Sequence, residues 1–555
     1  MDNYSIAENF SLLSRLMDIH GEDAFRSKTY SIAAFNIEKL PMQLSETDRN
    51  AIFSIKGIGQ SIGTKVLELL DTGSMDILHE YINKTPPGVI EMLNIKGIGP
   101  KKIHTIWKEM EIESLGELLY ACNENRLTLY KGFGEKTQAN VQEAIEFYFL
   151  NQGHFLYAQL EELFPQVNSY LKKLFGEDKC EVAGKYRRQE LTLDELEFVV
   201  LAPNSEIKPR FQTAQPPELL EEKEDTLLYK LRNGLKLRLY TGGSSMAPEL
   251  FRHTGSAEFL QAFQDHFPGI KMEGPDEKEV FKQAGIPFIL PALREKKQII
   301  DKAKTNTLPH LIGVSDIRAI IHCHSNWSDG VNTLEELAEE CIRRGYEYLV
   351  ISDHSQSAFY ANGLKEDRII EQHRQIDELN KKLAPFRIFK SIESDILNNG
   401  SLDYPDEVLK TFDLVIASVH SNLKMNEEKA MARLIKAIED PHTTILGHMT
   451  GRLLLSRNGY PLDHYKIIDA CAANKVVIEL NAHPRRLDID WRYIDYALDK
   501  GVLISIDPDA HALEGFDDVK YGVLAAQKAG VEKRANLSSF SLKEFEDHLR
   551  GVRKY

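Results

Sequence analysis

Seven short apolar runs, set at helix-sized intervals from residue 317 onward, constrain this chain more than any other feature. They are IRAII (317–321), YEYLVI (346–351), FRIFKSI (386–392), FDLVIAS (412–418), TTIL (443–446), KVVIEL (475–480) and VLISI (502–506). Strands of this length alternating with amphipathic helices build parallel β/α units. Directly after the runs come His322 and His324, Asp353 and His354, Glu393, His420, His448, Asn481 with His483, and Asp509 with His511. The carboxyl ends of all strands in a β/α barrel share one face, so residues far apart in sequence meet there in one pocket.

Imidazole mixed with carboxylate suits Zn, Mn or Fe, and the candidates outnumber the four ligands of one tetrahedral ion. Two or three divalent ions, Zn and/or Mn, are therefore expected. Ions about 3.5–4 Å apart lower the pKa of a bound water towards about 7 and clamp both attacking and leaving oxygens of a phosphodiester. A single buried histidine is more often a hydrogen-bonded core residue than a ligand; the repetition at strand end after strand end carries the reading. Asp353 fits a partner that orients an imidazole, and Asn481 and His483 fit substrate contacts or turn residues, so the three stay outside the metal set. Arg452 and Arg485 fall just past strand ends, where a guanidinium can clamp phosphate bidentately.

The segments HCHSNWSDG, ISDHS, ESDIL, ASVHS, GHMTGR and DPDAH resemble the PHP (polymerase and histidinol phosphatase) superfamily from about residue 316 to the end. That resemblance implies a distorted (β/α)7 barrel with a trinuclear site. Its ligands here would be His322, His324, Asp329, His354, Glu393, His420, His448, Asp509 and His511. His322, His324, Asp329 and Arg452 become the candidate catalytic residues.

The first 150 residues read as short helices punctuated by glycine. SIKGIGQSIGTKV (54–66) and NIKGIGPKKIHTI (94–106) repeat one pattern, and KGFGEKTQANV (131–141) is a weaker third copy. A helix running into Gly-hydrophobic-Gly before a second helix allows a tight turn whose N–H groups face a DNA phosphate. The pattern resembles the helix-hairpin-helix of sequence-independent DNA binders, with Gly57, Gly59, Lys65, Gly97, Gly99, Lys101 and Lys102 as contacts.

Residues 151–300 carry strand-like LEFVVLA (196–202) and LKLRLY (235–240) amid polar connections such as 214–217, an α+β pattern. With the hairpins before it and a PHP region after it, the chain resembles bacterial family X DNA polymerases, whose palm and thumb would fill this region. Nucleotidyl transfer in that family needs three carboxylates on two magnesium ions, and the matching positions are Glu195, Glu197 and Lys236. An ammonium about 4 Å from a divalent ion is repelled by roughly 8 kcal/mol at an effective dielectric near 20, so polymerase activity is expected to be absent. The family's Gly-Ser at the triphosphate has become Gly184-Lys185, and Leu260 takes the base-contact position. Tyr30 and Lys65 match positions that support 5′-deoxyribose phosphate lyase chemistry, although Lys65 reads first as a phosphate contact.

These readings predict a multidomain chain: a helical DNA-binding region (1–150), a degenerate palm and thumb (151–300), a charged linker (301–315) and a PHP barrel (316–555). A formal charge of −16 excludes DNA binding by the whole surface, so any DNA contact is local. Five scattered cysteines exclude a disulfide framework, and the lack of a leader or a long apolar run predicts a cytoplasmic protein with no membrane partner. The expected function is a metal-dependent 3′–5′ exonuclease or 3′-end processing enzyme in DNA repair, acting on single-stranded or gapped DNA. The alternatives are a small-molecule phosphatase of the histidinol phosphate kind and a non-catalytic DNA-end scaffold.

Overall fold

The computed structural model describes every residue except 39, 41, 56, 151–152, 212–215, 232–233, 273, 275 and 553–555. Lys56 of the first hairpin and half of the 214–217 connection lie outside the described residues. The chain divides into two compact units, Met1–Asn123 with Leu127–Tyr148, and Glu124–Arg126 with Phe149–Tyr555.

The first unit is helical, and its turns follow from its glycines. Gly57, Gly97 and Gly132 have φ of +92°, +97° and +94°, a region that side-chain-bearing residues rarely enter. All three copies of the motif, including the weak third one, therefore make the same turn. Gly59 and Gly99 are the N-caps of helices Gln60–Thr72 and Pro100–Lys108. The residues between the glycines, Ile58, Ile98 and Phe133, are buried and anchor each turn from beneath. No helix among the described residues is long and apolar enough to cross a membrane.

The second unit opens with a small sheet, β1 (Phe155–Leu156) against β3 (Thr192–Leu193). A five-stranded sheet follows, built from β2 (Cys180–Ala183), β4 (Glu195–Val200), β5 (Glu218–Lys223), β6 (Thr226–Lys230) and β7 (Lys236–Thr241) in the order β2-β4-β7-β6-β5. β4 and β7 are parallel neighbours, with Glu195 beside Lys236 and Glu197 beside Arg238. Helices Met246–Thr254, Ala257–His266 and Glu277–Gln283 then close around Phe251, Phe259, Phe263 and Phe281.

The expected linker 301–315 starts later than its composition suggests. Helix Gln298–Lys304 runs into it and buries Ile299, Ile300 and Ala303 against that phenylalanine core. The charges that read as linker lie on the helix's wet face, a distinction composition alone cannot make. At the far end of the stretch Ile312 is buried and its N–H donates to the Val531 carbonyl at 3.0 Å.

The third sheet has seven parallel strands: β8 (Ala319–Cys323), β9 (Tyr348–Ile351), β10 (Arg387–Asp395), β11 (Leu414–Ser418), β12 (Thr443–Leu446), β13 (Val477–Asn481) and β14 (Ile504–Asp507). They run in sequence order, and a parallel bridge from Cys323 to Ala510 brings the last strand back to the first, nearly closing the PHP-type barrel. Local signals delimit the surrounding helices. Thr333 and Glu336 form a reciprocal capping box at the start of Leu334–Arg344, and Gly345 ends that helix at φ +84°.

The barrel's two ends differ in chemistry. Its amino end is filled by Ala319, Ile321, Tyr348, Val350, Phe389 and Ile416, and plugged by Phe545 of helix Leu542–Val552. The Phe545 ring stacks on Tyr348 at 4.6 Å and meets Phe389 edge-on at 4.9 Å. With that end dry, the polar residues are confined to the carboxyl end.

Candidate functional site

Strict alternation along β8 would turn Ala319, Ile321 and Cys323 inward and both neighbouring histidines outward. A bulge reverses the phase. The register with β9 slips between Ile320 and Cys323, and His322 takes φ +59°. Ala319 and Ile321 stay in the barrel interior, Cys323 turns to the outer core, and His322 and His324 both face the centre. Asp509, at φ +54°, is a second residue held left-handed in the same pocket.

Glu393, 1% exposed and two residues before the carboxyl end of β10, is the hub. Its Oε1 lies 3.2 Å from His322 Nε2, 3.1 Å from His420 Nε2 and 2.9 Å from His448 Nε2, and its Oε2 lies 3.0 Å from His354 Nδ1. Asp509 Oδ1 lies 3.4 Å from His322 Nε2 and 3.1 Å from His324 Nε2. Asp329, which sits in a loop rather than at a strand end, faces His354 Nε2 and His511 Nε2, each at 3.5 Å.

Two ligands of one tetrahedral zinc at about 2.0–2.1 Å stand about 3.3 Å apart, so these separations are those of atoms sharing a cation. His322 Nε2, His324 Nδ1, Asp329 Oδ2, His354 Nδ1, Glu393 Oε2 and His511 Nε2 are buried without a hydrogen-bond partner, a costly arrangement unless something positive sits among them. Three overlapping groups have metal-holding geometry: His324, Asp329, His354 and His511; His322, His324 and Asp509; and His354, Glu393 and His420. His324 and His354 each belong to two groups, the arrangement adjacent ions require. His448 lies outside all three, tied in through Glu393. The donor set is consistent with divalent metal binding.

Charge within the pocket is mutually supporting. Burial pushes the Glu393 carboxyl up, but His420, His322 and His354 outweigh it and hold the group well below the usual carboxylate range. Burial depresses His511, and Asp329 reverses this, raising it to about 9.

Two acids that sequence reasoning missed orient the imidazoles. Glu479, fully buried in β13, lies 2.5 Å from His322 Nδ1 and also accepts from the His448 N–H at 3.0 Å and Asn481 Nδ2 at 3.0 Å. Asp395 accepts from His420 Nδ1 at 2.6 Å. A lone carboxylate inside the apolar run KVVIEL was the available signal for Glu479. Asp353 holds no histidine; it accepts from the Ser325 N–H and hydroxyl, Ser328 and Gln372, and so pins the loop carrying His324 and Asp329. Asn481 joins Glu479 to Asp509, its Nδ2 3.1 Å from Asp509 Oδ2. His483 is held neutral, pushed down to about 3 by burial and by Arg485 and Arg486.

Arg452, expected at a phosphate, is engaged by the protein itself. It donates to Asp490 at 2.6 Å, to the Arg486 carbonyl at 3.1 Å and to the Leu487 carbonyl. A guanidinium with its fork closed on one loop is a strut for that loop. The loop in turn carries Arg485 and Arg486, both buried, with Arg486 Nε 3.9 Å from Asp509 Oδ2.

In the five-stranded sheet Glu195 lies beside Lys236, with Glu197 two residues further along the same strand and beside Arg238. Arg238 donates from Nε and Nη2 to Glu195 at 2.7 and 3.0 Å, a bidentate pair. Lys236 and Arg238 share the half-exposed face of β7, as their spacing of two requires. Glu197 accepts from the Lys185 N–H at 2.8 Å and the Tyr240 hydroxyl at 2.7 Å, and lies so close over Gly184 that a Cβ there would meet its carboxylate at 1.9 Å. Asp194 pairs with Lys185 at 2.7 Å. Leu260 packs against the phenylalanine core.

In the helical unit Lys101 is exposed, while Lys102 reaches back to the Gly97 carbonyl at 3.3 Å. Lys65 is half-buried on helix Gln60–Thr72. Tyr30 is buried on helix Ala24–Glu38, its ring 6.0 Å from Phe10.

Comparison with known proteins agrees with this geometry. A helix-hairpin-helix domain matches residues 1–75 and a SAM-like helix-hairpin-helix tandem matches residues 89–146. Probable phosphatases of Caldanaerobacter subterraneus and Thermoanaerobacter sp. are each 26% identical, over 30% and 36% of this chain and 65% and 81% of their own. The DNA polymerase/3′-5′ exonuclease PolX of Bacillus subtilis is 31% identical over 96% of this chain and 97% of its own length. An identity of that size sustained over 96% of the chain, from hairpins to barrel, shows that the chain belongs to the PolX family.

Proposed function

We propose that the barrel is a metal-dependent phosphoesterase that removes nucleotides or blocking phosphates from DNA 3′ ends. In this reading the helical hairpins hold single-stranded or gapped DNA without sequence preference, and the palm has lost nucleotidyl transfer. The observation that carries it is the set of buried, partnerless imidazole and carboxylate atoms at ligand-to-ligand spacing around Glu393. Two or three divalent ions, Zn and/or Mn, are the cations that set would hold.

Such ions, when bound, activate water and neutralise phosphate charge. The chain's own residues arrange the rest. His322, His324, Asp329, His354, Glu393, His420, His448, Asp509 and His511 supply the donor atoms. Glu479 and Asp395 keep the Nδ1 protons of His322 and His420, so each Nε2 lone pair faces inward. Arg486, buried beside Asp509 and held by the Arg452 strut, places a guanidinium where a phosphate oxygen gains charge. The closed Arg238–Glu195 pair and Lys236 support loss of polymerase activity, because a guanidinium engages one of the carboxylates that magnesium would need and an ammonium takes the place of another.

The test presents the Mn- or Zn-loaded protein with a 5′-labelled single strand, a gapped duplex, a 3′-phosphate end and para-nitrophenyl phosphate. Stepwise shortening from the 3′ end is expected, and it should vanish in the His322→Ala, His324→Ala double variant while DNA binding persists. Retained cleavage in that variant refutes the site. Turnover of the small ester with no action on DNA would make the chain a phosphatase. Extension of a primer would overturn the assignment of the palm.

A further inference from the structure

The ten residues after His354 form a closed loop with one conspicuous side chain. Ser355 and Leu364 pair in a parallel bridge, and the Leu364 N–H returns to the His354 carbonyl at 2.9 Å, so the loop begins and ends at a candidate ligand. Within it the Ala358 N–H donates to Ser355 O and the Gly363 N–H to Ala358 O, both at 3.0 Å. Gly363 packs so tightly that a Cβ would stand 1.9 Å from Ser355 O. Ala358, Ala361 and Leu364 are fully buried beneath. Asn362, left-handed at φ +55°, ties the far side to the Trp327 carbonyl at 3.2 Å. A loop held at this many points has little freedom left to lose.

On this rigid frame two adjacent aromatics point opposite ways. Tyr360 turns in towards the metal pocket, its ring 6.4 Å from that of His354. Phe359 turns out, 81% exposed, its ring 5.8 Å from Tyr360 and perpendicular to it within 14°. A phenylalanine ring left in water on a fixed loop contributes nothing to the core, and it stands one residue from the wall of the candidate site.

We infer that Phe359 is the stacking platform for a nucleobase of the strand whose 3′ end enters the pocket, making the site selective for polynucleotide ends over small phosphate esters. The inference rests on the phosphoesterase reading above. Stacking accepts any base, because each has a π-face, and so suits an enzyme without sequence preference. A ring carried on an already ordered loop binds without the cost of ordering that backbone. A small phosphomonoester has no neighbouring base that extends beyond the pocket to meet it.

The experiment compares the parent chain with Phe359→Ala and Phe359→Trp, loaded with Mn. The substrates are a single-stranded oligodeoxynucleotide and the same oligomer ending in two tetrahydrofuran abasic units. Loss of one stacked base raises KM about tenfold in Phe359→Ala at unchanged kcat. Phe359→Trp should match the parent, and the difference between parent and Phe359→Ala should close on the abasic oligomer. Equal KM for parent and Phe359→Ala on the normal oligomer overturns the inference, as does the same KM increase on both substrates. A parallel titration with an oligomer carrying 2-aminopurine at its 3′ end reads stacking as fluorescence quenching without any turnover. Should the parent hydrolyse nothing yet quench only when Phe359 is present, the phosphoesterase reading fails and the platform stands. Hydrolysis with quenching indifferent to Phe359 is the reverse case.

Discussion

Replacing Glu479 by glutamine tests whether the pocket is a metal centre or a buried polar network. The side chain keeps its shape and loses its charge. In the structure one oxygen faces His322 Nδ1 at 2.5 Å while the other accepts from the His448 N–H and Asn481 Nδ2, both at 3.0 Å. A carboxylate only accepts, so it forces the proton of His322 onto Nδ1 and leaves the Nε2 lone pair towards Glu393 and Asp509. An amide can keep the hydrogen bonds on its oxygen side but offers His322 no negative charge. Outer partners of this kind typically alter metal affinity or activity 10- to 100-fold, which is about 1.4–2.7 kcal/mol. The fold should lose much less, about 1 kcal/mol, because most of the hydrogen bonds survive. Metal-stripped parent and variant are titrated with Mn or Zn, reading the midpoint from thermal shift and from hydrolysis. The expected result is a midpoint 10- to 100-fold higher at nearly the same melting temperature for the stripped protein. Coincident titration curves refute the reasoning, and so does a stripped variant that no longer folds, since Glu479 would then be a strut of β13.

Phe545→Ala should unplug the amino end of the barrel and destabilise it by about 3–5 kcal/mol; a loss under about 1 kcal/mol in urea unfolding would show that the plug is dispensable. Glu277 is pushed up by burial, but Arg294 and Arg187 outweigh this and hold its carboxyl below the usual range. A depressed acid stabilises the fold above its unfolded pKa of about 4.5, and that contribution drains away as pH falls through the folded value. Glu277→Ala, which strands the fully buried Arg294, should cost about 3–5 kcal/mol at pH 7 and flatten the acid limb of the stability curve; an unchanged limb counts against the pairing. Reversing Lys101 and Lys102 to Glu should weaken DNA binding similarly for all sequences and reduce the slope of log affinity on log salt by about two; a sequence-dependent loss would mean the hairpin reads bases.

Much of the fold was legible because its signals are local. The seven apolar runs became the seven strands with ends displaced by only a few residues, and Glu393 proved to lie inside β10 rather than beyond it. The weak third hairpin copy turned as the strong ones do, since Gly132 needs nothing beyond its own backbone. Partners across strands were illegible. Nothing near Arg452 in the chain announces Asp490, and nothing near Glu195 announces Arg238, although the i, i+2 spacing from Lys236 placed Arg238 on the right face. The charged stretch after residue 300 misled because composition does not say which face of a helix is wet.

The sequence by itself determined which residue types arrive at the barrel's carboxyl end and where the chain turns, for period and glycine freedom act within a few residues. The tertiary structure alone decided phase and pairing. A bulge at His322, fixed by register against β9, swings two histidines inward, and Glu479, more than 150 positions away, sets the tautomer of one of them. Those choices depend on which strand lies beside which, and adjacency in a closed barrel is a property of the whole chain.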